Sequence, residues 1–130
     1  MRLRSILTLA MAPLALSACQ QGGPGQSRAD VVPAARVMGE AVSCLQLNAF
    51  DHTRVRDNRT IDFIGLGHKA WRNTLPYECP GLRMNDAFSY ETSLSQLCST
   101  DIIHVIEHAG GPSRGAACGL GRFVPVELAK

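Results

Sequence analysis

The sequence predicts a mainly β fold: a small disulfide-stapled antiparallel sheet or barrel of roughly five or six short strands with one or two helical turns. Two observations predict it. From Cys44 onward, short runs rich in Val, Ile, Thr and aromatic residues alternate with Gly, Pro, Asn and Asp. Four cysteines, Cys44, Cys79, Cys98 and Cys118, are spread over the same region.

The elements follow in order. Gln20 to Asp30 is Gln, Gly, Pro and Ser with almost nothing to bury, so it reads as a flexible tether. Asp30 suits a helix cap, Pro33 a first turn, and Val31, Ala34, Val37, Met38, Ala41 and Val42 recur at helical spacing; a short helix is expected over 31–42, weakened by Gly39. Thr53-Arg54-Val55-Arg56 and Thr60-Ile61-Asp62-Phe63-Ile64 flank the turn-type sequence Asp57-Asn58-Arg59. A two-residue loop would set Arg54 opposite Ile61 and mix the faces. A three-residue loop pairs Val55 with Ile61 and Thr53 with Phe63 on one face, and Arg54 with Asp62 as an exposed pair on the other. Gly65-Leu66-Gly67 breaks the strand, and Lys69 to Asn73 returns antiparallel around Trp71.

Thr74 to Asp86, with Pro76 and Cys79-Pro80-Gly81, reads as an irregular connection, and Phe88 to Thr92 as a short strand. Ser93 with Gln96 three residues on is a capping-box pattern, which predicts a helical turn ending near Cys98. Asp101 to Ile106 is the most strand-like run, closed by Gly110-Gly111-Pro112-Ser113. Cys118 to Val126 supplies a last strand, placed at an edge by Pro125.

At 130 residues the chain holds one domain. Arg2 and Arg4 followed by the apolar run Ile6–Leu16 form an export-type leader, residues 1–18. The run is shorter than the roughly 20 residues that span a bilayer, and Pro13 interrupts it. The chain has 13 basic and 11 acidic residues, and without Arg2 and Arg4 the two counts are equal. A neutral mature chain has no general electrostatic pull on nucleic acid, which is not an expected partner.

Leu16-Ser17-Ala18-Cys19 resembles the bacterial lipobox. That resemblance implies cleavage before Cys19, a diacylglycerol on its thiol and a palmitate-type acyl chain on its amine. Two or more chains, at roughly 0.8 kcal/mol per buried CH₂, anchor a protein stably. Gln20 follows where an Asp would resemble an inner-membrane retention signal, so the implied place is the periplasmic face of an outer membrane. The expected organisation is a leader (1–18), a lipidated N-terminus and tether (19–43) and a cysteine-stapled β-domain (44–130).

With Cys19 set aside, four cysteines in an oxidising compartment predict two disulfides, with three connectivities open. A nested pair, Cys79–Cys98 and Cys44–Cys118, is favoured: one pins the Pro/Gly-rich connection, the other ties the domain's start to its end. Zinc is disfavoured because structural sites bring ligands in close pairs, whereas these cysteines lie about 20 or more residues apart. A paired thiol is no nucleophile.

His104-Val105-Ile106-Glu107-His108 matches the H-x-x-E-H pattern of inverted zinc peptidases, which needs a helix to converge both imidazoles on one ion. Here the run reads as strand, which holds His104 and His108 about 13 Å apart, and no metal is expected. Arg54, Arg56, Arg59, Lys69 and Arg72 concentrate positive charge around one hairpin. They could serve an anionic envelope component, such as a lipopolysaccharide phosphate or a peptidoglycan carboxylate, but Asp57 and Asp62 between them favour the plainer reading of a solvated, self-paired face. Trp71, Tyr77, Phe88 and Tyr90 are expected in the core rather than a pocket. Gly65-Leu66-Gly67 lacks the Lys and helix of a phosphate loop, and no cofactor is expected.

Asp57-Asn58-Arg59-Thr60-Ile61-Asp62-Phe63, Trp71-Arg72-Asn73-Thr74-Leu75 and Cys79-Pro80-Gly81-Leu82 together resemble an uncharacterised family of small proteobacterial envelope proteins. Leu97-Cys98, Asp101-Ile102-Ile103 and Cys118-Gly119-Leu120-Gly121 complete the resemblance. It implies scaffold roles for the cysteines and their loops and brings no catalytic residue. The expectation is a non-enzymatic, lipid-anchored envelope protein that binds an envelope protein or an anionic polymer. The alternative is a small periplasmic enzyme or ligand carrier with a site around Trp71 and the His104 strand.

Overall fold

A computed structural model describes residues 32–129. The expected leader, Cys19 and the tether from Gln20 to Asp30 lie outside the described residues. Ten strands form among the described residues: β1 (Ala35–Val37), β2 (Cys44–Gln46), β3 (His52–Val55), β4 (Thr60–Ile64), β5 (Lys69–Thr74), β6 (Phe88–Tyr90), β7 (Gln96–Cys98), β8 (Ile102–Glu107), β9 (Ser113–Gly119) and β10 (Phe123–Leu128). A 3₁₀ turn (Leu47–Ala49) and a four-residue helix, α1 (Leu82–Asn85), complete the described elements. The strands make three antiparallel sheets, ordered β1-β10-β5-β4-β3, β2-β7 and β6-β8-β9. The mainly β, stapled, antiparallel expectation holds. The strands are shorter and more numerous than five or six, and no sheet closes into a barrel.

The first hairpin forms in the predicted register: Val55 faces Ile61, Thr53 faces Phe63 and Arg54 faces Asp62. Arg56 N–H donates to the Thr60 carbonyl (2.8 Å), leaving a three-residue loop. No left-handed residue is needed at Arg59, because the Asp57 carboxylate accepts the Arg59 N–H (2.8 Å). The loop then docks on the connection beyond β5. Leu75 N–H donates to the Arg59 carbonyl and Cys79 N–H to the Asn58 carbonyl, and the Arg83 N–H bonds the Asn58 side chain.

Three local expectations are corrected. The described part of 31–42 is not helical: Ala35, Arg36 and Val37 pair with Leu128, Glu127 and Val126, and Val42 bridges Phe123. Apolar residues at that spacing fit either state, and the open ladder of β10 decides, helped by an Arg36–Glu127 ion pair at 2.7 Å. The domain therefore starts before Cys44. The capping-box turn before Cys98 is replaced by β7, and the local hydroxyl bonds come from Thr92, which accepts the Leu94 N–H (3.2 Å) and donates to the Gln96 carbonyl (2.9 Å). Pro125 lies inside the sheet, between β1 and β5. Its carbonyl accepts Met38 N–H (2.8 Å), and its nitrogen, facing the same side without a hydrogen, cannot return the bond, so the ladder with β1 stops at Val37 and pairing resumes at the Val42 bridge.

All three sheets enclose one core. Val55, Ile61, Phe63 and Phe123 come from the first, Leu45 and Leu97 from the second, Ile103 and Val105 from the third, with Leu75, Cys79, Leu82 and Leu120 between them. Phe63 is the hub, with edge-on contacts to Phe50, Phe123 and Phe88 at centroid distances of 5.0, 5.3 and 6.5 Å. Each such pair contributes about 0.5–1.5 kcal/mol beyond burial. Trp71, Phe88 and Tyr90 pack against this core, while Tyr77 is exposed.

Buried Asn73 fastens β5 to the chain before β10: its amide donates to the Gly121 carbonyl (2.7 Å) and its oxygen accepts the Gly121 N–H (2.8 Å). The close approach requires glycine, because a Cβ on Gly121 would overlap the Thr74 carbonyl oxygen. Gly121→Ala is expected to destabilise the domain by about 1–3 kcal/mol, the usual cost of overpacking against atoms that cannot move away. Urea denaturation checks this, and an unchanged midpoint would show that the clamp can open freely.

Candidate functional site

The four remaining cysteines are all paired, but not as the nested set. Cys44 bonds Cys98 and Cys79 bonds Cys118, so the two loops interlock. Sheet pairing sets the first link, since β2 and β7 place Cys44 directly opposite Cys98. Its consequence is that Cys79, in the connection docked on the first hairpin, is left to meet Cys118 on β9.

The five basic residues of the expected patch separate into distinct roles. Asp62 is fully buried on the face of the first sheet away from the core. Arg56 Nε reaches its Oδ2 at 2.8 Å, while Arg72 grips both oxygens at 2.8 and 3.0 Å. Arg56 and Arg72 are thus structural partners sharing one carboxylate, and the triad keeps a net single positive charge. Arg59 is committed to backbone, donating to the Leu75 and Pro76 carbonyls (3.1 and 3.2 Å). Lys69 begins β5 opposite Glu127 of β10. Arg54, set against Asp62 in the register, is exposed and makes no ion pair among the described residues.

Arg54 instead lines an open cleft of ≈ 460 Å³ that runs along β3, with Arg56, Arg83 and Asp86 on its walls. Arg83 was not legible as a site residue. It sits on a four-residue helix, too short for a periodic signal, which the hairpin loop brings to β3 through Asn58. The Arg83 side chain is exposed and unpaired among the described residues. Asp86 follows the helix in a left-handed conformation (φ 50°).

A second, mostly apolar groove of ≈ 370 Å³ lies across β5 and β10, floored by Trp71 and Pro125 and flanked by Met38, Lys69 and Glu127. His104 does not share it. On β8, Ile103 and Val105 point into the core, so alternation turns His104 to the opposite face of the third sheet, away from core-packed Trp71. The expected strand carries His104 and Glu107, with His108 just past its end. Among the described residues no three His, Cys, Asp or Glu side chains group as metal ligands, and no helix is long and apolar enough to cross a membrane. Comparison with protein-family models, curated proteins and solved structures finds no match to this chain.

Proposed function

We propose that the protein is a lipid-anchored envelope protein whose stapled β-domain is a non-catalytic binding module. The observation that carries the anchor is Leu16-Ser17-Ala18-Cys19 directly behind a basic, then apolar, leader. The cysteine pattern supports it: with Cys19 taken by lipid, the other four form two disulfides, which suits an oxidising compartment. The surface supports the second half. Both clefts described above are open, and an open, mixed-charge surface suits contact with a partner better than a deep pocket of converging polar groups would. The carrier alternative rests on the apolar groove beside Trp71, whose open shape suits a contact surface better than an enclosed ligand.

Metabolic labelling with an alkyne fatty acid tests the anchor. The wild-type chain is expected to take the label and sediment with membranes. Cys19→Ser is expected to lose the label and leave the membrane fraction. Persistent labelling of that variant would overturn the reading.

A further inference from the structure

We propose that the free edge of β3, with Arg54 and Arg83, binds an extended acidic peptide segment by strand addition. The inference rests on reading the domain as a binding module and names the partner of that module.

Among the described residues β3 is the terminal strand of the first sheet, paired with β4 alone. The phase of that pairing is fixed by the Arg56 N–H bond to Thr60. Backbone groups alternate in an antiparallel ladder, so those of Thr53 and Val55 point away from β4. Among the described residues no other group bonds them. Among the described residues the edge is therefore a short row of backbone donors and acceptors without a protein partner, lining the ≈ 460 Å³ cleft. Four residues of β3 are about 13 Å long, enough to pair a segment of similar length.

Charge selects the occupant. Arg54 and Arg83 are the exposed cations on the cleft that make no ion pair among the described residues, whereas Arg56 is held by Asp62, a carboxylate it shares with Arg72. Asp86 is the opposing acidic wall. A second copy is a poor occupant. The antiparallel register that satisfies Thr53 and Val55 of both copies sets Arg54 against Arg54, and like charges directly opposite are destabilising. A strand carrying carboxylates beside Arg54 and Arg83 meets the ladder and the charges together.

The test titrates the full chain with the acetylated, amidated hexapeptide (Glu-Thr)₃, a Gln-for-Glu version, and a version N-methylated at alternate residues. The acidic peptide is expected to bind saturably, to slow hydrogen exchange of the Thr53 and Val55 amides, and to weaken as salt shortens the screening length. Arg54→Gln and Arg83→Gln should each weaken it about threefold, the range of exposed charge pairs, and Asp86→Asn should tighten it about twofold. Asn tolerates the left-handed backbone at that site, so the Asp86→Asn change is electrostatic. The Gln or N-methyl peptide binding as well as the acidic one would overturn the proposal. So would Arg54- and Arg83-dependent binding to phosphatidylglycerol vesicles with no binding of the peptide. Binding of the Gln peptide, the N-methyl peptide or the vesicles instead would leave the binding-module reading standing while this proposal fails, and fatty-acid labelling at Cys19 tests the anchor separately.

Discussion

The double variant Cys79→Ala/Cys118→Ala is expected to lose about 4 kcal/mol of stability from chain entropy, since the closed loop has a sequence separation of 39. Cys44→Ala/Cys98→Ala, with a separation of 54, would lose slightly more on that argument alone. Packing is expected to reverse the order. Cys79 is fully buried among Leu75, Leu82, Val105 and Leu120 in the core, so its truncation also leaves a cavity. Cys44 and Cys98 are half-exposed on a two-stranded sheet, where the β2–β7 ladder persists without them. The loops overlap between residues 79 and 98, so each bond already shortens the loop the other closes, and the two losses should not add. Small domains are stable by about 5–15 kcal/mol, so either loss removes a large share. Urea denaturation of both double variants ranks them; a larger loss for Cys44→Ala/Cys98→Ala would show that buried Cys79 is not part of a close-packed core.

The parts of this fold that were legible in the sequence are those whose partners lie nearby along the chain. The β3–β4 hairpin follows from alternation and three turn residues, and β5 from the next apolar run after a Gly-Leu-Gly break. Where partners are distant, local pattern decides little. Residues 31–42 carry a spacing that a helix could use, yet β1 forms because β10, some ninety residues later, offers an unpaired ladder. The disulfide pairing was out of reach for the same reason, as Cys44 meets Cys98 only once β2 has found β7. The site was half legible. The hairpin's basic character is plain in the sequence. That Arg54 stays free while Arg56, Arg59 and Arg72 are committed depends on the buried carboxylate and on backbone carbonyls of a connection with no regular pattern.

Asp62 gives the second large effect. Register alone places it on the sheet face away from the core, where an exposed charge pair with Arg54 was expected; it is instead completely covered. The cover is the pair of guanidinium groups themselves, whose side chains are only 18% and 16% exposed. Removing the carboxylate leaves two largely desolvated cations facing each other with nothing between them. Asp62→Ala is therefore expected to cost about 3–5 kcal/mol, the loss typical when one partner of a buried ion pair is deleted. The arginine variants should cost less, because Asp62 keeps one partner in each. Arg72→Ala gives up a two-bond fork and Arg56→Ala a single bond, so the expected order is Asp62, then Arg72, then Arg56. Desolvation costs make a fully apolar replacement comparable to the native triad, so Asp62→Leu with Arg56→Met and Arg72→Met should recover most of the stability that Asp62→Ala loses. Guanidinium chloride would itself screen such charges, so urea is the denaturant for the comparison. A loss below about 1 kcal/mol for Asp62→Ala, the scale of an exposed pair, would mean that solvent reaches the triad and that the arginines do not close over it.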